Sequence, residues 1–312
     1  MSSVQTPPQP ALETFRYTDV DQFTKALRKF EVHFTPLARR ISLRQTILNL
    51  PEFDIAVAGT FHRLVDMQLA DDCTSVCFSP DRSGGVRFNG LELDRLCIGI
   101  GHGGDGFSMV ENPGGQLAGV VFAPEVRDRG WPDTRGHFAA YLMTPAAQAK
   151  LAILTAEVLD FAAISPHALR SPDTRVAIKE SMLSAVDQAF QPANVFRPLQ
   201  ARQLGKNFRI FKRVEDAIAQ DLKGPIYSEA LAQAVGISIR MLQDVVMQFR
   251  GVTLHRYLRL KRLWLVRRRL LAGHTSVKAC ALEYGFWHMG DFSKSYVTLF
   301  GEPPSRTLAR GG

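Results

Sequence analysis

The sequence lacks the features that mark several classes of protein. No apolar run approaches the roughly 18 residues of a membrane helix, which predicts no membrane partner. The first ten residues, MSSVQTPPQP, have neither the basic nor the apolar stretch of a signal peptide. The 4 cysteines form no CxxC pair, so a reducing, cytoplasmic environment is expected. No HxH pair or P-loop is present, and the sequence predicts no cofactor, no catalytic residues and no enzyme.

Charge is present but unevenly distributed. From Gly205 to the end there are 18 Lys+Arg and 8 Asp+Glu, whereas the remainder has 20 and 22. Basic character confined to one end indicates a polyanion partner, which in a protein of ordinary composition is most often a nucleic acid. A merely solvated helical surface is the alternative, and charge alone does not decide between them.

The pattern along the 312 residues predicts two domains. Residues 12–30 have apolar residues at helical spacing, which predicts a short helix. From about Leu37 to Phe122, short apolar runs alternate with turn sequences such as SPDRSGG and VENPGG, which predicts a β-sandwich or barrel. Helices are expected at 145–163 and about 173–190, and the segment QPANVFRPLQ is the expected linker.

The segment SEALAQAVGISIRMLQDV, residues 228–245, has the residues that a helix-turn-helix needs. Ala232 is small enough for the two helices to touch, and Gly236, four residues later, suits a turn with positive φ. Ser238 is suited to cap the second helix. Apolar residues fill the intervening positions, namely Leu231, Val235, Ile237, Leu242 and Val245. An ordinary helical hairpin is the alternative for this segment alone.

The same spacing recurs near the end of the chain. Ala281 and Gly285 repeat it, and Phe292, Tyr296, Leu299 and Phe300 form the apolar stripe of the next helix. Phe292 lies seven residues after its glycine, whereas Leu242 lies six after Gly236, so the second turn is one residue longer. Between the units, residues 253–273 predict a helix of about 28 Å. Because neighbouring major-groove segments are about 34 Å apart, one chain could place two recognition helices on one side of DNA.

Residues 206–309 resemble the AraC/XylS family of transcription regulators. The resemblance is carried by ALAQAVGISIRML, GVTLHRYLRLKRLWLVRRRLL and VKACALEYGFWHMGDFSKSYVTLFGEPPS. It implies a seven-helix domain, residues 206–312, whose two recognition helices enter adjacent major grooves. It also implies an α+β two-domain fold, with a cupin-like effector-binding and dimerisation domain at 1–190, a linker at 191–205 and the all-α DNA-binding domain at the end.

The recognition helices supply the candidate DNA-binding residues. Arg240 suits guanine and Gln243 suits adenine, whereas Asp244 would repel phosphate but could accept a hydrogen bond from cytosine. Three arginines of the connecting helix are better interpreted as backbone anchors or internal ion pairs than as base readers. The candidates of the first helix are Ile239, Arg240, Gln243 and Asp244, those of the second are His288, Met289, Asp291, Ser293 and Lys294, and the arginines are Arg256, Arg259 and Arg262.

The family resemblance departs in places and is less specific at the N-terminal end. Val246 stands where the family usually buries an aromatic residue. The segments VFRPLQARQLGKNFRIFKRVEDAI and GFWHMG resemble the ethanolamine-utilisation regulators, which implies a small-molecule effector and a homodimer. Helix 145–163 is then the expected dimer surface, although it could simply cover the barrel. Double-stranded DNA, the effector and RNA polymerase are the expected partners.

Two other functions remain open from the sequence. A metal-dependent cupin enzyme would need several histidines and a carboxylate at one point, for which His62, His102 and His137 are available. An architectural DNA-binding protein would need no ligand. Trp131 could floor a ligand pocket or simply pack, and the pair Cys73 and Cys77 could be redox-active or simply pack.

Overall fold

The protein folds as two compact units, which are described separately. The structure, a computed structural model, describes residues 11–19, 29–37, 40–81, 86–93, 96–134, 136–197, 204–220, 227–273 and 276–311. The first unit takes in residues 1–33 and 40–202, and the second takes in 34–39 and 203–312. Part of the predicted linker, 198–203, lies outside the described residues, so the predicted domain limits stay a prediction.

The first unit is built around two antiparallel sheets. The larger has eight strands in the order β1-β3-β4-β11-β6-β9-β12-β13, and the smaller has five in the order β2-β5-β10-β7-β8. The predicted sandwich or barrel is therefore confirmed. The strands are β1 Ala11–Asp19, β2 Phe30–Pro36, β3 Arg40–Asn49, β4 Phe53–Gly59, β5 Arg63–Leu69, β6 Thr74–Phe78, β7 Val86–Phe88, β8 Leu91–Leu93, β9 Cys97–His102, β10 Gly106–Glu111, β11 Gln116–Phe122, β12 Ala139–Met143 and β13 Val195–Phe196.

The larger sheet is covered on both faces. Alternate residues of each strand point to opposite faces. In β6, Thr74, Val76 and Phe78 belong to one face, and Ser75 and Cys77 to the other. The first face packs against two helices, α1 Pro145–Ile164 and α2 Pro172–Ala189, through residues such as Leu151 and Met182. The second face borders a cavity that the smaller sheet also lines.

Two sequence expectations for this unit meet the structure directly. The predicted helix at 12–30 is wrong for residues 12–19, which belong to β1; this strand pairs with β3 from Ala11 opposite Asn49 to Asp19 opposite Arg40. Residues 20–28 of that prediction lie outside the described part. The helices predicted at 145–163 and 173–190 are confirmed as α1 and α2, and each begins with a proline at an N-terminal position.

Trp131 has a packing role and does not line the cavity described above. Its ring lies 5.8 Å from that of Phe122 and 6.1 Å from that of Phe190. Its indole N–H donates to Asp187 Oδ1 of α2 at 2.7 Å, so it ties the sheet to the helix pair.

The described residues contain no group of three metal-ligating side chains. Of the three candidate histidines, His102 Nδ1 lies 3.1 Å from the hydroxyl of Thr74. Among the same residues, no single helix is long and apolar enough to span a membrane, although the two helices from Ser228 to Arg250, bent by 90°, pass that test as a pair.

The second unit is helical throughout its described C-terminal part. The seven helices of its described residues match the number that the family resemblance implies. They are α3 Leu204–Gln220, α4 Ser228–Val235, α5 Ile239–Arg250, α6 Leu254–Leu271, α7 Val277–Glu283, α8 Met289–Phe300 and α9 Pro304–Gly311.

Candidate nucleic-acid interface

The first predicted helix-turn-helix is formed by α4 and α5. Gly236 ends α4 with φ of 69°, a left-handed conformation that costs glycine little. The next amide, of Ile237, donates back to the carbonyl of Ala232 at 3.0 Å, which closes the turn. Ser238 then caps α5 by accepting from the amide of Met241 at 3.1 Å. The roles predicted for Ala232, Gly236 and Ser238 are confirmed.

The second helix-turn-helix, formed by α7 and α8, repeats this turn. Gly285 has φ of 78°, and the amide of Phe286 donates to the carbonyl of Ala281 at 2.9 Å. Here α8 begins after His288, three residues beyond the glycine, whereas α5 begins after Ser238, two residues beyond Gly236. The extra residue in the second turn is therefore confirmed.

Each recognition helix is fixed by a buried apolar face. In α5 this face is Leu242, Val245, Val246 and Phe249, and in α8 it is Phe292, Tyr296, Leu299 and Phe300. Val246 is fully buried, and the aromatic packing nearby comes from Phe249, which stacks on Phe211 of α3 at 4.5 Å between ring centroids. The opposite face of each helix is thereby left exposed.

The connecting helix α6 is held to the first helix-turn-helix by a buried carboxylate, Glu215 of α3. The Arg250 guanidinium lies 3.1 Å from Glu215, and the Tyr257 hydroxyl and Lys261 ammonium of α6 donate to it at 2.7 Å. Burial alone would raise the pKa of Glu215, but the charges of Arg250 and Lys261 outweigh it and lower the pKa from 4.5 to about 2. The carboxylate therefore stays ionised and joins α3, α5 and α6.

A second buried carboxylate, Glu302, holds α6 to the second helix-turn-helix. Arg267 of α6 donates to Glu302 Oε1 at 3.0 Å, and both side chains are 1% exposed. Thr307 of α9 donates to the same oxygen at 2.9 Å and receives the Tyr296 hydroxyl of α8 at 2.9 Å. Burial opposes ionisation of Glu302, but these hydrogen bonds and the charges of Arg310 and Arg267 lower its pKa. Both recognition helices are thus anchored to the single helix α6.

All four predicted residues of the first recognition helix lie on its exposed side. The Arg240 side chain is 93% exposed, and its Nε lies 3.9 Å from the Asp244 carboxylate, one helical turn away. An exposed pair of this kind contributes little stability, about 0.3–0.5 kcal/mol. Asp244 is therefore close to Arg240 but does not fix it, and the role of Asp244 stays open.

The predictions for the second recognition helix need one correction. His288, Asp291 and Lys294 are exposed as predicted. Met289 does not face away from the core, because its side chain is half-buried and packs against the apolar cluster of this unit. Ser293 is also half-buried. Helical spacing in fact places Met289 on the buried face, since it lies three residues before Phe292.

The three arginines of α6 have different surroundings. Arg259 Nη2 donates to the Ser295 hydroxyl of α8 at 2.6 Å, so it braces the second recognition helix. Arg262 is half-buried, and burial together with the charge of Arg259 lowers its pKa. Arg256 is exposed near the start of α6. Of the three, Arg256 is best placed to meet a phosphate.

Sequence reasoning missed Trp287, which directly precedes the cap of α8. Its side chain is 66% exposed, although Phe286 beside it is buried. A large exposed ring with an indole N–H donor is unusual on a surface that nothing covers. The sequence carries a signal for this exposure. Phe286 and Met289 fill the apolar positions of the second turn, so no buried position is left for Trp287.

Comparisons with known proteins agree with this geometry. The family described as "Helix-turn-helix domain" matches residues 231–310. The XylDLEGF operon transcriptional activator 1 of Pseudomonas putida is 40% identical over 103 residues, which are 32% of this chain and 31% of that protein. The probable thc operon regulatory protein of Rhodococcus erythropolis is 26% identical over 149 residues, 47% and 43% of the two chains.

A solved structure is similar over the same region. It is a probable AraC family transcriptional regulator from Rhodopseudomonas palustris, 33% identical, with a TM-score of 0.31, covering 33% of this chain and 97% of that one. The chain thus spans about a third of the length of the Pseudomonas putida relative. The described geometry and these matches place the C-terminal third of the chain among the AraC/XylS-type helix-turn-helix domains.

Proposed function

We propose that the protein is a sequence-specific, effector-responsive transcription regulator that binds adjacent major grooves with α5 and α8. The observation that carries this proposal is the repetition of one turn geometry at Gly236 and Gly285, on the two sides of a single 18-residue helix. At 1.5 Å per residue α6 is about 27 Å long, and the offsets of the two units extend that separation toward one turn of DNA. The exposed faces of both recognition helices are then available together.

Charge supports the same proposal. The C-terminal third carries 18 basic and 8 acidic residues, and exposed cations accompany both recognition helices. Phosphate neutralisation by such residues gives affinity that falls with salt, whereas base contacts give specificity. Arg240 and Gln243 are the proposed base readers, and Arg256 and Lys294 the proposed phosphate contacts.

Replacing Arg240 by alanine is expected to weaken binding to a selected DNA site by about 5- to 150-fold, because a bidentate contact to guanine is worth about 1–3 kcal/mol. Binding to unrelated DNA should change much less, so specificity falls with affinity. Gel-shift titrations at a fixed salt concentration, with selected and scrambled duplexes, measure both values.

The matched control for that experiment is Arg170→Ala. Arg170 is an exposed arginine of the first unit, and its removal takes away the same charge without touching a recognition helix. Equal losses of affinity for Arg240→Ala and Arg170→Ala would contradict a base-reading role. They would show that Arg240 contributes only its positive charge.

The homodimer belongs to the same proposal, with α1 as its surface. Helix α1 carries large apolar side chains on its outer surface, where Ile153 is 58% and Ile164 is 80% exposed. Exposed apolar side chains on one surface mark a candidate interface. Lys150 and Glu157 lie two turns apart on this surface. A two-fold axis near Ile153 would therefore bring Lys150 of one copy opposite Glu157 of the other. The same proposal makes the protein cytoplasmic and gives it a contact with RNA polymerase when it is bound to DNA.

Changing Ile153 to glutamate is expected to convert a dimer to a monomer, because the charge would lie at the centre of the apolar contact. Sedimentation equilibrium of the full chain measures the mass directly. Phe196→Glu, at an exposed ring of the same unit, is the control that should leave the mass unchanged. A wild-type monomer at every concentration, or a dimer that survives Ile153→Glu, would overturn this surface.

A further inference from the structure

The space between the sheets of the first unit has walls from both of them. Strands β3, β4, β6 and β11 contribute one wall, and β2, β5 and β10 the other. This cavity has a volume of about 90 Å³, and a neighbouring one of about 50 Å³ shares four of its lining residues, namely Cys77, Phe107, Glu111 and Leu117. Together they approach the roughly 150 Å³ cavity that holds benzene in another protein.

Small residues create this space. At the same level of the larger sheet, Ala56 of β4 pairs with Gly119 of β11, and Gly119 pairs with Cys77 of β6. A Cβ atom added at Gly119 would meet no atom within 4 Å. Cores are normally packed without such voids, so side chains this small in the middle of the sheet leave room that the described residues do not fill.

Two buried polar atoms border the cavity without a hydrogen-bond partner among the described residues, Oε1 of Gln45 and the hydroxyl of Ser75. Gln45 is 2% exposed and its Oε1 accepts no hydrogen bond, and Ser75 is 1% exposed and its hydroxyl has no partner. A buried polar atom that is left unsatisfied destabilises the fold, and most such atoms in proteins have a partner. The free acceptor at Gln45 is therefore suited to a donor that enters from outside the chain.

The charges around the cavity are already balanced. Arg63 donates to Glu111 twice, at 2.7 and 2.8 Å, and Lys29 lies 3.4 Å from Asp54. These four are the charged residues among the described lining. A ligand with a net charge would find every described charge engaged, and burying it without a counter-charge is unfavourable.

We infer that this cavity binds a small, uncharged, largely apolar ring compound that donates a hydrogen bond to Gln45 Oε1. The inference rests on the proposed effector-responsive function and names the chemical class of the effector and the side chain that selects it. The volume limits the ligand to about the size of a substituted benzene, and the balanced charges exclude organic acids and amines as preferred ligands.

Two matched pairs of probes test this class on the full-length protein. Phenol and toluene have the same number of heavy atoms and differ in the donor, whereas benzamide and benzoate differ in charge. At ten times its Kd, phenol is expected to raise the Tm of the first unit by roughly 3–5 °C. Toluene and benzoate are expected to bind at least threefold more weakly than their partners, by isothermal titration calorimetry.

Two variants locate the effect. Gln45→Leu should abolish the preference for phenol over toluene and raise the Tm of the ligand-free protein, because it removes an unsatisfied buried oxygen. Gly119→Leu should fill the space and abolish binding of all four probes. Gln68→Leu, the same change on the exposed side of β5, is the control and should leave both probe preferences intact.

The outcomes separate this inference from the proposed function. A wild-type protein that binds none of the probes, or that prefers benzoate to benzamide, overturns the inference. So does a Gln45→Leu variant that keeps its preference for phenol. Gel shifts without any probe test DNA binding independently, so a failure there would contradict the proposed function and leave probe binding at Gln45 as it stands.

Discussion

Replacement of Glu302 by alanine is expected to destabilise the C-terminal domain by about 3–5 kcal/mol and to abolish DNA binding at ordinary temperatures. The reason is that Arg267, 1% exposed, would keep its charge in the core without its carboxylate partner. The loss of the shared acceptor for Thr307 and Arg310 adds to this effect. Urea denaturation of the full chain, followed by tryptophan fluorescence in which Trp264 beside Phe300 reports on this domain after Trp131 and Trp287 are replaced by phenylalanine, measures the change.

The control for that prediction is Glu229→Ala, which removes an exposed carboxylate from the first turn of α4. Its expected cost is below about 1 kcal/mol. If Glu302→Ala cost no more than Glu229→Ala, the buried network would not be holding α6 to α9 as described.

The stability of the same domain is expected to fall by about 3 kcal/mol as the pH is lowered from about 5 to 2, through Glu215. In the folded protein the pKa of Glu215 is about 2, against 4.5 without the fold. Below pH 4.5 the unfolded chain therefore takes up a proton that the folded chain does not, and protons favour unfolding. Above that range the full contribution of Glu215 is present, and it is lost as the pH falls through the folded pKa.

The measurement is the difference in unfolding free energy between the wild type and Glu215→Gln across this range, because the lowered pKa of Glu302 also makes the stability depend on pH. The difference should be largest above pH 5 and shrink toward pH 2, because only the wild type loses a charge interaction on acidification. Asp216→Asn, at the exposed neighbouring residue, is the control that should show little pH dependence. A difference independent of pH would contradict the assignment to Glu215.

The helix-turn-helix units could be predicted because their requirements are local. A glycine with positive φ, a small residue four positions earlier and a capping serine all lie within a few residues of each other. The helical pattern of α1 and α2 is equally local. The wrong helix at 12–30 shows the limit of this reasoning, because β1 is set by its pairing with β3, about thirty residues away.

The interactions that join the elements could not be predicted in this way. Glu215 meets Tyr257 across 42 residues, and Arg267 meets Glu302 across 35. A charged residue on a helix gives no sign in the sequence of whether it faces solvent or a distant partner. The cavity is of the same kind, since the opening at Gly119 and the isolated acceptor of Gln45 appear only once the strands are assembled.

The central claim is that α5 and α8 read neighbouring major grooves, and guanine-N7 methylation protection on a selected DNA site tests it most directly. The account predicts two protected clusters about 10–10.5 base pairs apart for each bound chain, on one side of the helix. In the Arg240→Ala variant, the cluster read by α5 should lose protection while the other remains. A single protected cluster per chain, or the loss of both clusters in that variant, would contradict the account.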